Sequence, residues 1–303
     1  MTPALACAPN LTDGETDPVA WSRTREAEGW PAISASDHLF DGTRAYAHWA
    51  VTLAQFAGAT SRVQIGSSFA NNLLRSPVEF AQAALALQRA SNGRFEAGLG
   101  AGWAEAEITG IGHHYPPPGV RAGMYAEAMH IVRTLFRDRR CTFAGDHYTI
   151  DIPSIAPNVE PPPLVASVGG PRTIREITPL VDRVELKIAS GATRGGHLDF
   201  ARLARIELDE LRALVEQVRT VRDDVPLGVF IMVGCGDHPR LQALGDTLGD
   251  SLMGSFVGEP EAVADAVRAL ADVGIERVQL TPYTPETITL LAPYLASAVE
   301  VAR

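Results

Sequence analysis

Lysine is almost missing from this chain. It occurs once, at Lys187, and arginine supplies the rest of the 26 basic residues. Against them stand 36 acidic residues, giving a net charge of −10. That balance argues against nucleic acid as the main partner, because a phosphate backbone needs an excess of positive charge. Cysteine is scarce too. Cys7, Cys141 and Cys235 are odd in number and widely spaced, with no Cys-x-x-Cys pair. They support neither a disulfide framework nor a zinc site, and read as small buried hydrophobes in a reducing compartment. No run of about 18 apolar residues exists to cross a membrane. The run Ala4-Leu-Ala-Cys7 has no basic segment or adequate apolar stretch before it. A signal peptide is therefore not expected, and a cytoplasmic location is. His-Glu-x-x-His and His-x-His motifs do not occur, and His113 and His114 lie in a proline-rich stretch without ligand company. No metal site is expected, which disfavours a metallohydrolase.

What is present suits an ordinary globular protein: 303 residues, 46% hydrophobic and 20% charged. One large domain over residues 1–303 accommodates this length. Apolar, β-branched runs recur between amphipathic stretches. Strands are expected at Ala4–Ala8, Ala32–Ser36, Val63–Ala70, Phe95–Gly98, Leu164–Val168, Arg183–Ile188, Leu227–Val233 and Arg277–Thr281. Strands alternating with helices imply parallel pairing and right-handed crossovers. Closure into a (β/α)8 TIM barrel is the simplest solution, with a doubly wound open sheet as the alternative. Ser76, Pro77 and Glu79 predict a helix start with a capping box. Thr284-Pro285-Glu286 predicts another start, and apolar spacing predicts one helix over Asp199–Val221. The long connections Gly110–Val120, Gly145–Pro163, Ala189–Leu198 and Gly234–Gly258 are expected to gather at the C-terminal face.

Chemistry in a barrel sits at the C-terminal ends of strands. Asp37 and His38 occupy such an end, and histidine can move a proton near neutral pH. The competing structural reading has Asp37 capping a loop and His38 satisfying a carbonyl. Gly98-Leu-Gly-Ala-Gly-Trp103 fails the Gly-x-Gly-x-x-Gly dinucleotide pattern, because Trp103 stands where glycine is required. Gly98 and Gly100 instead suggest close backbone access for a large flat ligand. Ser167-Val168-Gly169-Gly170-Pro171-Arg172 follows a strand and opens a helix, an arrangement that suits phosphate. Arg172, Arg175, Lys187, Arg194 and His197 are the nearby basic candidates, each equally readable as solvated surface. Trp49 and Trp103 are candidates for either pocket lining or core.

Several segments together resemble the bacterial luciferase-like superfamily of flavin and deazaflavin oxidoreductases. They are Ser36-Asp-His-Leu-Phe40, Ile65-Gly66 through Asn71, Arg75-Ser-Pro77, Gly93 through Trp103, Pro117 through Arg121, Phe143 through Tyr148, Val168 through Arg172, and Gly258 through Glu261. The chain looks most similar to the branch that uses coenzyme F420, a deazaflavin. The resemblance implies hydride transfer between that ring and a small organic substrate, with His38 and Asp37 beside the ring. It implies a cofactor site at Ser68, Phe69 and Ala70, with a non-proline cis peptide at Ser68–Phe69. It places the cofactor phosphate near Gly169 and Gly170. Partners are expected to be a small-molecule substrate and a second copy of the chain, with no nucleic acid and no membrane. The chain departs from the branch's sugar-phosphate dehydrogenases at Ala101 and Gly42, where the resemblance implies a glutamate and a tryptophan, so sugar-phosphate oxidation is not expected. Asn72 also stands where the superfamily usually has proline. Two alternatives stay open: an FMN-dependent two-component monooxygenase, and a non-catalytic flavin-binding or partner subunit.

Overall fold

The computed structural model describes residues 5–42 and 44–296. Eight strands form the frame: β1 (Ala6–Leu11), β2 (Ala32–Ala35), β3 (Gln64–Ser67), β4 (Phe95–Gly100), β5 (Leu164–Val168), β6 (Arg183–Leu186), β7 (Leu227–Cys235) and β8 (Arg277–Pro282). Every neighbour pair is parallel, and β8 pairs with β1 through Ala6↔Arg277 and Pro9↔Leu280. The sheet has closed, so the structure is a (β/α)8 barrel and the open-sheet alternative falls. Closure removes both edges, and the surrounding helices cover the outer face. That explains why buried Val, Ile, Leu and Ala dominate the strands.

Most of the expected strands recur within a residue or two. Ala4, the expected start of the first, lies outside the described residues. The third strand differs in kind. It stops at Ser67, the Ser68–Phe69 peptide is cis, and a short strand at Ala70–Asn71 resumes pairing with β4. Phe69 explains the interruption. Its ring packs over β4, where a Cβ added at Gly98 would lie 2.1 Å from the Ser67 carbonyl and 2.9 Å from the Phe69 ring.

Helix α1 (Pro18–Glu28) and helix α2 (Trp49–Ala59) follow the first two strands. Helix α3 (Pro77–Ala90) begins as expected at Ser76, whose hydroxyl accepts from Val78 N; Glu79 sits in the first turn but returns no bond, so the capping box is not formed. Helix α4 (Glu105–Gly110) and helix α5 (Pro118–Asp138) flank the connection expected at Gly110–Val120, of which residues 111–117 are loop and only the ends are helical. Helix α6 (Pro171–Ile177) opens beside Gly170. The single helix expected over Asp199–Val221 is two, α7 (Phe200–Leu203) and α8 (Leu208–Val221). Fully buried Ile206 sits at the break, and Glu207 restarts the helix in a capping box with Glu210. The last helix starts at Glu286, and Thr284 turns its hydroxyl to Thr287 instead of capping the helix backbone. Gly145–Pro163 is not all loop either. Cys141–Ala144 and Thr149–Ile152 form an antiparallel hairpin, and Glu127 of α5 accepts from the amides of Asp146, His147 and Tyr148 at its turn. The hairpin is thereby folded along α5 until Tyr148 Oη meets Asn72 at 3.1 Å.

The barrel interior is polar at one end. Arg183 of β6 reaches Glu96 of β4, and Arg277 of β8 reaches Glu96 and Gln64. These strands are not neighbours, so the contacts cross the interior. Glu185 is fully buried among them, with Arg183 Nε 3.7 Å away and no hydrogen bond to either carboxyl oxygen. Burial pushes its carboxyl up to about 7, against the lowering pull of Arg183 and Arg277. A carboxyl raised in the folded state contributes stability that is present below the unfolded value and is lost as pH rises through about 7. Glu185→Gln is therefore expected to be near neutral at pH 5. At pH 8 it should stabilise by roughly 1–3 kcal/mol. Thermal melts of both proteins at the two pH values check this; an equal difference at both would refute it.

Candidate active site at the barrel mouth

Six of the eight strands deliver residues to one chamber. After β2 come Ser36, Asp37 and His38; after β3, Ser68 to Asn71; after β4, Ala101 to Trp103; Ser167 ends β5, and Lys187 follows β6. Phe230 of β7 closes the floor. The chamber holds about 140 Å³ and opens past Trp103, Ser167 and Lys187 into an outer groove of about 470 Å³. The groove alone falls in the ~300–1,000 Å³ range of small-molecule sites.

His38 is held by a residue that sequence reasoning missed. Glu107 of α4 is buried, and its Oε1 lies 2.6 Å from His38 Nδ1 while its Oε2 accepts from Leu39 N at 2.5 Å. An ionised carboxylate only accepts, so Nδ1 carries the proton and Nε2 is the exchangeable nitrogen. A positive charge arising on the ring would be stabilised by Glu107, as a buried carboxylate does for histidine in a catalytic triad. Tyr46 and Trp103 flank the ring at centroid distances of 5.3 and 5.8 Å. The only sequence trace of Glu107 is an acidic residue just past the glycine-rich strand.

Asp37 has a different surrounding. Arg75 Nη2 donates to Oδ1 at 2.9 Å and Nε to Oδ2 at 3.2 Å, and Asn71 N donates to Oδ2 at 2.9 Å. Both oxygens are engaged, which favours the structural reading of Asp37: it ties the β2 end to the segment carrying Phe69. Ser68, Phe69 and Ala70 line the chamber, and Ser68 Oγ is buried without a protein partner. Gly100 also lines it, but Gly98 does not, being packed beneath Phe69. Trp103 faces both spaces, whereas Trp49 is core, stacked on Phe80 at 5.9 Å.

The groove is lined by Arg121, Arg172, Lys187 and Arg194, with no Asp or Glu among its lining residues. In a chain of net charge −10 this is a local inversion of sign. Ser167, Gly169, Gly170 and Arg172 line it as expected; Val168 does not, because its side chain is buried in the core. The two glycines differ. A Cβ at Gly169 would meet the Lys187 carbonyl at 2.6 Å, so that residue serves strand packing, whereas one at Gly170 would meet only Thr173 Oγ1, at an ordinary 3.9 Å. Arg172 pairs with Glu176 at 3.1 Å and donates to Gly119 O. Arg175 pairs with Glu176 outside the groove, and His113, His114 and His197 line neither space. The Gly234–Gly258 connection contributes no lining residue. No cluster of three potential metal ligands occurs among the described residues, and no described helix is long and apolar enough to cross a membrane.

An F420-dependent glucose-6-phosphate dehydrogenase of Amycolatopsis mediterranei is 31% identical over 163 residues, 52% of this chain and 49% of that protein. The chain thus spans about half the length of that curated relative. A protein of the same name from Intrasporangium calvum is 26% identical over 84% of each chain. An F420-dependent secondary alcohol dehydrogenase, solved with an F420–acetone adduct, superposes with a TM-score of 0.75 over 98% of this chain and 99% of its own, at 18% identity. That likeness speaks for the fold. The family model for luciferase-like monooxygenases matches residues 11–239. This stretch runs from the end of β1 past β7 and contains every residue of the chamber and groove, so the chain belongs to the luciferase-like monooxygenase family.

Proposed function

We propose that this protein is an F420-dependent oxidoreductase that transfers a hydride between the deazaflavin and a small organic substrate. The observation that carries the reading is a pair of adjoining pockets that share Trp103, Ser167 and Lys187, with the His38–Glu107 pair at the inner one and Arg121, Arg172 and Arg194 but no acid along the outer one. F420 has an anionic, phosphate-linked and glutamylated tail, and such a groove suits it. The names of the relatives support the same cofactor. The residues present fit it: Ser68 Oγ is an orphaned buried hydroxyl at the chamber, and Gly170 leaves the groove backbone open.

When bound, the cofactor supplies the hydride chemistry, and the protein supplies binding, orientation and electrostatics. Phe69, Ser68 and Ala70 would form the wall against the ring, and Ser167, Gly170, Arg172 and Arg194 would hold the phosphate. His38 Nε2 would take the proton from a substrate hydroxyl during oxidation, or return it during reduction, while Glu107 balances the charge on the imidazole. Asp37 would position rather than react.

Absorbance or fluorescence titration with F420 and, separately, FMN tests this reading. F420 should bind, and raising salt from 50 to 500 mM should weaken it by roughly 3- to 10-fold. That corresponds to about 0.7–1.4 kcal/mol in all, or two or three screened pairs of roughly 0.3–0.5 kcal/mol each. Gly169→Val should weaken binding at any salt by displacing the β6 end. Tight FMN binding without F420 binding would sink the assignment and favour a monooxygenase; binding of neither would favour the non-catalytic alternative.

A further inference from the structure

Lys187 is the only lysine in the chain and, among the described residues, the only charged one that lines both chamber and groove. Three of the four neighbouring arginines have internal acceptors; the Arg194 side chain has none among the described residues. Arg75 holds Asp37, Arg172 holds Glu176, and Arg121 donates to the carbonyls of Pro116 and Arg194. The Lys187 ammonium has none among the described residues; it lies 5.7 Å from the Trp103 ring centroid, and it feels the like charge of Arg121. An ammonium left partly desolvated beside another cation is unfavourable unless a ligand compensates it.

We propose that Lys187 is a specificity residue that fixes a carboxylate or phosphate of the substrate at the junction of chamber and groove, making the substrate a small organic anion. This rests on the oxidoreductase reading above. The groove has its own cations for the cofactor phosphate, whereas Lys187 shares the chamber with His38. Both flank Trp103, at 5.8 Å for the His38 ring and 5.7 Å for Nζ, so a short substrate can span them. The anion would sit at Lys187 while the reacting hydroxyl or carbonyl meets His38 Nε2.

The ionisable groups around this point are His38 with Glu107, Asp37 with Arg75, Arg121 on α5, Arg172 on α6, and Arg194 after β6. Burial, then Arg121, pulls the Lys187 ammonium down to about 8. Anion binding should therefore be full below pH 8 and fall as pH rises through it.

A sole lysine permits a direct test. Protein grown on lysine carbon-13 labelled at Cε gives one side-chain NMR signal. In the F420-loaded protein, inorganic phosphate or acetate should move that signal and raise its titration midpoint. Lys187→Met should keep F420 affinity within about two-fold and weaken phosphate or acetate at least ten-fold, while Lys187→Arg should restore most of the anion binding. A signal indifferent to both anions would overturn the proposal. So would a ten-fold loss of F420 affinity in Lys187→Met, which would assign the ammonium to the cofactor's own phosphate. If the wild type binds no F420, the F420-dependent reading fails. The anion response of the cofactor-free protein then separately supports or refutes an anion site at Lys187.

Discussion

Replacing His38 by alanine is expected to lower turnover by about 10²-fold or more while leaving F420 affinity within a few-fold. The ring is built into the chamber by Glu107 on one side and by Tyr46 and Trp103 on its faces, and its Nε2 is free to exchange a proton. None of these contacts is needed to close the barrel. Glu107→Gln should give a smaller loss in turnover, because the amide no longer balances a charge arising on the imidazole. Steady-state kinetics with a direct F420 titration separate the two effects. Unchanged turnover in His38→Ala, with only a lower melting temperature, would reduce His38 to a structural role.

Asp37→Ala should act on stability, costing about 3–5 kcal/mol, the range found when one partner of a buried ion pair is removed. The carboxylate is almost inaccessible, binds Arg75 through both oxygens and also accepts from Asn71 N. Without it, the guanidinium and the amide lose their acceptor together, and the segment carrying Phe69 loosens. Urea unfolding should report the loss, and F420 affinity should fall alongside it. Asp37→Asn should be milder, since one oxygen still accepts. A fully stable Asp37→Ala with abolished turnover would return Asp37 to a chemical role, as its place next to His38 suggested.

The barrel was legible because its information is local. Each strand is a short apolar run buried on both faces, and each is set off by turn residues and followed by a helical period. Parallel order then follows from connection length and handedness. Ser76 announced its helix because an N-cap needs only its own neighbours. The misread stretches had no such closed local account. The Asp199–Val221 periodicity runs on through Ile206, and only packing against the core shows that the chain turns there. The hairpin at residues 141–152 depends on Glu127, some twenty residues away on α5.

The site divides in the same way. Sequence alone put His38 at a strand end, found the glycines of β4 and the Gly169–Gly170 turn, and marked Lys187 as a singular residue, because residue type and strand phase decide what reaches the mouth. The partners came from the fold. Glu107 meets His38 across 69 residues and Arg75 meets Asp37 across 38, and no spacing rule relates such pairs. Gly98 and Gly170 look alike on paper, yet one is crowded by Phe69 and the other is uncrowded, because burial is a property of what packs against the backbone. Chain chemistry chose which groups could act; barrel closure determined which of them are held, which are neutralised, and which stand free at the mouth.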